Sequence, residues 1–276
     1  MKKASANRLK PFSMKKERAD RVLVSLGLAE TRQKAQALIM AGLVYSGEQR
    51  IEKPGQMIPA DLNLSLKETI PYVSRGGLKL AEALEVFRIS VKDKVAADLG
   101  ASTGGFTDCL LQKGARMVYA VDVDINQLDW RLREDSRVVC IKKNARYLTG
   151  SDFDRKPEIV TMDLSFISVL KVLPAVGDFL GDGQLISLIK PQFEAGKGRV
   201  GKKGIVRDPA IHQEVLNKTV VEAQKMGFGT RGVIRSSTRG QKGNREFFLY
   251  LTLTEEPLSQ DEVRSIIKEA VGNEKD

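Results

Sequence analysis

Val95-Ala96-Ala97-Asp98-Leu99-Gly100-Ala101-Ser102-Thr103-Gly104-Gly105-Phe106 is an apolar strand ending in an acid, then a glycine-rich turn that opens a helix. Glycines at 100, 104 and 105 let backbone approach a ligand where a Cβ would clash. The spacing differs from the dinucleotide pattern G-x-G-x-x-G. An acid at the strand end repels a pyrophosphate and suits a ligand carrying cationic groups. Downstream, Val118-Tyr119-Ala120-Val121-Asp122 ends a second strand in another acid, the position from which a carboxylate accepts ribose hydroxyls.

Outward from this motif, Ser74 caps a helix through Phe87. Strand-like and helix-like segments then alternate: Val95–Asp98, Gly105–Lys113, Arg116–Asp122, Val138–Ile141, Glu158–Met162, Ser168–Leu180, Gln184–Ile189 and Pro209–Met226. Such alternation predicts a parallel sheet with helices on both faces. Arg231–Arg235 and Phe247–Thr254 are joined by the basic loop Ser236–Arg245 with no helix between them, so they pair antiparallel. The prediction for residues 74–256 is an α/β, Rossmann-like sheet closed by a terminal antiparallel hairpin. This architecture resembles the class I methyltransferases, which implies S-adenosylmethionine as cofactor; its sulfonium and ammonium groups suit Asp98. A last helix, about Ser259–Val271 within 257–276, is expected to be peripheral.

Four polar residues fall where strand ends reach one edge of that sheet. Asp163 follows the strand Glu158–Met162, and Lys190 follows Leu185–Ile189. Glu246 begins the terminal strand, whose antiparallel direction brings its start to the same edge. Lys79 lies on the helix that opens the domain. Singly, each is accounted for by a cap, an ion pair or an exposed lysine. Two lysines and two carboxylates converging beside a cofactor motif are much less readily explained by chance. Asp163-Leu164-Ser165-Phe166 lacks the Pro-Pro-aromatic motif of amino-methylating enzymes. Cys109 and Cys140 fall in a helix and an apolar strand and read as small core residues rather than nucleophiles. His212 reads as structural.

The first fifth of the chain is different. The net charge is +10, and residues 1–60, with seven Lys and five Arg against four Glu and one Asp, supply +7 of it. That surplus points to a polyanionic partner. Residues 1–14 read as a basic tail, and Met14 is a plausible alternative start. Residues 15–67 read as two short helices and a small sheet, and 68–73 as a linker. Glu17–Leu26 stops at Gly27, while Thr31 caps a second helix that stops at Gly42. Short β pieces follow at Leu43–Tyr45, Gln49–Ile51 and Leu62–Leu66. Arg18, Arg32 and Lys34 fit either a solvated face or phosphate contacts. Glu17-Arg18-Ala19-Asp20, Gly27-Leu28-Ala29, Thr31-Arg32, Ala41-Gly42-Leu43-Val44 and Lys53-Pro54-Gly55 together resemble the S-four-type RNA-binding domain. The resemblance implies a small α+β module that recognises structured RNA by shape and charge.

Over residues 15 to about 255 the chain resembles one family. Lys79, Asp163, Lys190 and Glu246 match the FtsJ-like ribose 2′-O-methyltransferases. Val73-Ser74-Arg75-Gly76-Gly77, Asp163-Leu164-Ser165-Phe166-Ile167-Ser168 and Lys190-Pro191-Gln192-Phe193-Glu194, with the amino-terminal module, match the TlyA family. Its members carry hemolysin names as well as names of rRNA methyltransferases acting on cytidine in small- and large-subunit rRNA. The resemblance implies that Lys190 activates the 2′-hydroxyl, that Asp163 and Glu246 orient the lysines, and that Lys79 helps place the hydroxyl. The cofactor set is then Asp98, Gly100, Ser102, Gly104, Gly105, Phe106, Asp122, Asn144 and Asp163. RNA would meet Arg18, Arg32, Lys34 and Arg75, and Lys197, Arg199, Lys202 and Lys203 of the glycine-rich segment Glu194–Arg207. That segment reads as a mobile basic clamp or a solvated loop, with Phe193 and Tyr72 as candidate stacking aromatics.

Other classes fare worse. No apolar run approaches a membrane span and no h-region follows the basic start, so the expected place is the cytoplasm, with rRNA within ribosomal subunits as partner and neither membrane nor obligate protein partner. Two cysteines and one histidine give no metal centre. A non-catalytic RNA-binding or assembly factor stays open as the alternative, and a membrane-active hemolysin is the least supported.

Overall fold

The computed structural model describes residues 16–40, 42–66, 70–196, 198–254 and 256–272. The chain divides into two compact units at Thr69/Ile70. The basic tail at 1–14 and residues 68 and 69 of the linker lie outside the described residues.

The first unit contains β1 (Lys16–Arg18), α1 (Ala19–Ser25), α2 (Arg32–Met40), β2 (Val44–Ser46), β3 (Gln49–Arg50), β4 (Met57–Pro59) and β5 (Ser65–Leu66). β1 pairs antiparallel with β4, and β2 lies between β3 and β5. Val22 and Leu23 of α1, Ala35 and Ile39 of α2, Val44, Ile51 and Ile58 form its core. The expected stops are in place: Gly27 and Gly42 take φ of 70° and 72°, and Thr31 Oγ1 accepts from Lys34 N at 3.1 Å.

The second unit runs α3 (Arg75–Val86), β6 (Val95–Leu99), α4 (Gly105–Gln112), β7 (Met117–Asp122), α5 (Trp130–Arg133), β8 (Val138–Lys142) and β9 (Ile159–Met162). It continues with α6 (Leu173–Leu180), β10 (Gln184–Ile189), α7 (Pro191–Glu194), α8 (Pro209–Lys225), β11 (Gly229–Arg235), β12 (Phe247–Thr252) and α9 (Gln260–Val271). The sheet order is β11-β12-β10-β9-β6-β7-β8, and β12 is antiparallel to both its neighbours. Every residue of β6 is buried, as befits a parallel strand covered on both faces. Val95, Ala97 and Leu99 face one core with α6, α8 and α9, while Ala96 faces the other with Leu80 and Ala83 of α3 and Phe106 of α4. After β6 the chain builds outward to β7 and β8, then returns to β9 on the other side. The turn after β6 and the segment after β9 therefore meet at the switch point of the sheet.

Two expectations are corrected here. Helix α9 is not peripheral: Val263, Ile267, Ala270 and Val271 enter the core, and the helix packs on β11. Ser259 starts it with a reciprocal capping box to Glu262. Cys109 is buried, but Cys140 is exposed, because β8 is the edge strand and its outer residues have no layer above them.

Candidate active site

A cavity of about 180 Å³ opens at the carboxyl ends of β6, β9 and β10. The turn Gly100–Thr103 and Phe106 form one wall, and Lys79, Asp163, Ser165 and Lys190 form another. Sheet register brings the charged residues together. Ile189 pairs with Phe247, so Lys190 and Glu246 leave adjacent strands at the same edge. Asp163 N donates to Leu99 O at 3.1 Å, which ties the end of β9 to the start of the glycine turn.

The four residues form two ion pairs. Lys190 Nζ stands 2.6 Å from Asp163 Oδ1 and donates to Ser165 Oγ at 3.0 Å. Lys79 Nζ donates to Glu246 Oε2 at 2.6 Å, with both side chains buried. Gly240 lies against that carboxylate, and a Cβ there would overlap Glu246 Oε1.

The glycines serve the protein before any ligand. Gly100 and Gly104 have φ of 88° and 95°. A Cβ on Gly100 would meet the Asp163 carbonyl, one on Gly104 would meet Leu132 and Leu128, and one on Gly105 would meet Ser74 Oγ. The close approach read from the sequence as room for a ligand is thus, at these Cβ positions, protein against protein.

Asp98 is likewise not where a cationic ligand would touch it. It is fully buried below the turn and accepts from Thr107 Oγ1 at 2.7 Å and Thr161 Oγ1 at 3.1 Å. Burial pushes its carboxyl up to about 7, against the pull of the two hydroxyls. Asp122 does end β7 at the site edge; Oδ2 accepts from Ser102 N at 2.9 Å and Oδ1 from Asp124 N at 3.0 Å. Ser102 itself has φ of 49°. Asn144 is exposed and caps the turn after β8 by accepting from Arg146 N. Phe106 is buried and stacks on Phe248.

In the first unit, buried Asp20 gathers the expected arginines. Arg18 binds it through Nε and Nη2, Arg32 Nε reaches Oδ2 at 3.0 Å, and Gln36 Nε2 adds a fourth bond. Arg18 first, then Gln36 and Arg32, hold the Asp20 carboxyl well below the usual range. Lys34 and Arg75 are exposed. Arg199 is engaged by Glu214 of α8 in a two-bond pair, which departs from a freely solvated clamp. Lys203 is exposed at φ 68°, while Lys197 and the Lys202 side chain lie outside the described residues. His212 is buried, with Nε2 at 3.0 Å from Val206 O, as a structural histidine should be.

Sequence reasoning missed Ser165 and Phe166 as individual residues. Phe166 is 90% exposed, holds φ of 65°, and sits 5.1 Å from the Phe193 ring. An apolar ring turned to solvent on strained backbone beside a polar cavity carries a functional signal that periodicity does not encode.

Both units match known families. The FtsJ-like methyltransferase family matches residues 72–253, and the S4 domain matches residues 17–62. The chain is 50% identical to YqxC of Bacillus subtilis over 94% of its length and 95% of that protein. It is 41% identical to the 16S/23S rRNA (cytidine-2′-O)-methyltransferase TlyA of Mycobacterium tuberculosis, covering 93% of this chain and 98% of that one. A solved structure from Streptococcus thermophilus that bears the hemolysin name superposes with a TM-score of 0.71 at 44% identity, covering 94% of this chain and 96% of that one. With an S4 domain followed by an FtsJ-like methyltransferase domain, this chain belongs to the TlyA family.

Proposed function

We propose that the protein methylates the ribose 2′-hydroxyl of cytidine in rRNA of one or both ribosomal subunits, using S-adenosylmethionine, in the cytoplasm. The observation that carries this reading is the convergence of two lysine–carboxylate pairs on one cavity at the switch point of the sheet.

The residues present fit the cofactor. Each Asp122 oxygen is engaged by one backbone N–H and keeps a lone pair, which suits a ribose diol. The cavity wall is turn backbone, with an acid at its rim. Bound there, S-adenosylmethionine would supply the electrophilic methyl group. Gly100, Ser102, Gly104, Gly105 and Phe106 would shape its bed, with Asp98 bracing the turn from below.

The protein supplies placement and proton handling. A ribose hydroxyl is a weak acid, so its attack needs in-line positioning and a group to receive its proton. Lys190, aimed by Asp163 and Ser165, becomes that group once its ammonium has given up a proton, leaving a neutral amine with a free lone pair. Lys79, held by Glu246, faces the same cavity and fixes the hydroxyl from the other side. Phe166 over Phe193 offers a face for a base beside the reacting sugar. Arg18 and Arg32 on Asp20, with Lys34 and Arg75, supply phosphate contacts, as do the exposed cations of the Glu194–Arg207 and Ser236–Arg245 loops.

The test is transfer of labelled methyl from S-adenosylmethionine to unmodified 30S and 50S subunits by wild type and Lys190→Ala. The expected result is 2′-O-methylcytidine in the wild-type reaction and none in the variant. Binding of cofactor and RNA with no transfer to either subunit by the wild type would leave an RNA-binding factor. Label on a base rather than a ribose would overturn the assignment of chemistry.

A further inference from the structure

Two segments that carry half of the charged set run side by side: Asp163–Val169 after β9, and Lys190–Glu194 after β10. Three successive contacts join them. Lys190 meets Asp163 and Ser165 at the cavity end. Phe193 meets Phe166 in the middle. At the far end Glu194 takes both its neighbours at once: Ser168 Oγ donates to Oε2 at 2.6 Å, and Val169 N donates to Oε1 at 2.8 Å. Glu194 does not line the cavity and lies outside the Lys79, Asp163, Lys190, Glu246 set.

We propose that Glu194 is a positioning residue that, by gripping Ser168 and Val169, fixes where Asp163, Ser165 and Phe166 stand relative to Lys190. This rests on the reading of Lys190 as the group that handles the ribose proton.

The chemistry of the grip is specific. A backbone N–H can only donate, so the position opposite Val169 must be an acceptor. Ser168 Oγ already accepts from Leu170 N at 3.3 Å, and its own proton goes to Glu194. A carboxylate satisfies both donors without rearrangement. A carboxamide fits only with its oxygen on Val169 and its NH₂ on Ser168, whose hydroxyl must then turn its proton elsewhere. Burial raises the Glu194 pKa, the two donors and Lys218 of α8 oppose that, and the group is kept polar in a half-buried place where an apolar residue would orphan two donors.

The grip also explains how Phe166 is tolerated. A phenylalanine at φ 65° is disfavoured, and such backbone persists only where its surroundings hold it. Asp163 is tied to Leu99 before it, and Ser168 and Val169 are tied to Glu194 after it. The intervening turn is held at both ends.

The experiment compares wild type, Glu194→Ala, Glu194→Gln and Ser168→Ala in the full chain. Amide hydrogen exchange over residues 163–170 reads the grip without substrate. S-adenosylmethionine affinity and the kcat and KM for rRNA methylation read its effect. In Glu194→Ala, exchange should rise across 163–170 and stay unchanged over 95–105. Misplacement of the order of 1 Å should lower kcat about a hundredfold while cofactor affinity holds. Glu194→Gln should recover most of kcat, and Ser168→Ala should fall between. The proposal fails if exchange over 163–170 is unchanged in Glu194→Ala. It also fails if exchange rises and kcat does not fall, or if kcat falls only in step with cofactor affinity. A wild type that binds cofactor but methylates nothing would count against the proposed function, and the exchange data would still decide on the grip.

Discussion

Lys79 Nζ and Glu246 Oε2 lie 2.6 Å apart although 167 residues separate them in the chain, and both side chains are buried. One stands on the first helix of its domain and the other at the mouth of the last strand of the sheet. Removing one partner leaves the other charge buried alone, so Glu246→Ala should cost about 3–5 kcal/mol in urea unfolding. A Lys79→Met/Glu246→Leu double variant should recover most of that stability and none of the methylation. Stability and activity that recover together in the double variant would show the pair to be structural.

Phe166 predicts the opposite separation. Its ring is 90% exposed, so little packing is lost on removal, and its backbone lies where glycine is at ease. Phe166→Gly should change the stability by no more than about 1 kcal/mol in either direction. If the ring stacks on a base, the same change should cost about 1–3 kcal/mol of RNA affinity or transition-state binding. Unaltered kcat/KM for rRNA in a well-folded Phe166→Gly protein would remove the stacking role.

Asp98 sets a pH dependence. Its carboxyl titrates at about 7 in the folded state, above its ordinary value, chiefly because it is buried. A folded-state pKa that is raised contributes stability in full below the unfolded value, and that contribution is lost as pH rises through the folded value. The melting temperature should therefore fall between about pH 4 and pH 7, and Asp98→Asn should flatten that slope. Glu194, also raised by burial, titrates in the same sense, so the difference between wild type and Asp98→Asn is the informative quantity.

Asp20 yields a result that charge counting would get backwards. Asp20→Asn raises the net charge by one, which alone favours RNA. It also releases Arg18 and Arg32 from a shared anchor. Affinity for structured rRNA should drop despite the added charge. Arg32→Ala should lower affinity and reduce the salt slope by about one contact.

Local chemistry was legible in the sequence wherever it was written in neighbouring residues. Ser74, Thr31, Gly27 and Gly42 end or begin helices for reasons contained in their own side chains or backbone. The ion pairs were reachable from strand ends, because an antiparallel last strand can begin only where its parallel neighbour stops. What depends on a third layer was not legible. An apolar Cys140 strand looks like core until it is known to be the sheet edge. An amphipathic α9 looks detachable until β11 is seen beneath it. Gly104 and Gly105 resemble ligand glycines because a turn spared a Cβ looks the same whether a cofactor or Leu132 and Ser74 stand opposite. Arg199 counted as a free cation because Glu214, on the next helix, is invisible at the level of motif.

The insertion of β12 between β10 and β11 governs how the protein comes into being. All six of its residues are buried, so the sheet has an empty slot until Phe247–Thr252 arrives. Before then β10 is an edge paired only with β9, and β11 has no strand beside it. Glu246 arrives with the same strand, so the lysine on α3 is without its carboxylate for as long as the slot stays open. The sheet thus gains its last inner strand and the site its second carboxylate together, while α9, later in the chain, has still to cover β11. A chain cut before β12 is therefore expected to aggregate through the open β10 edge rather than to act as a weaker catalyst.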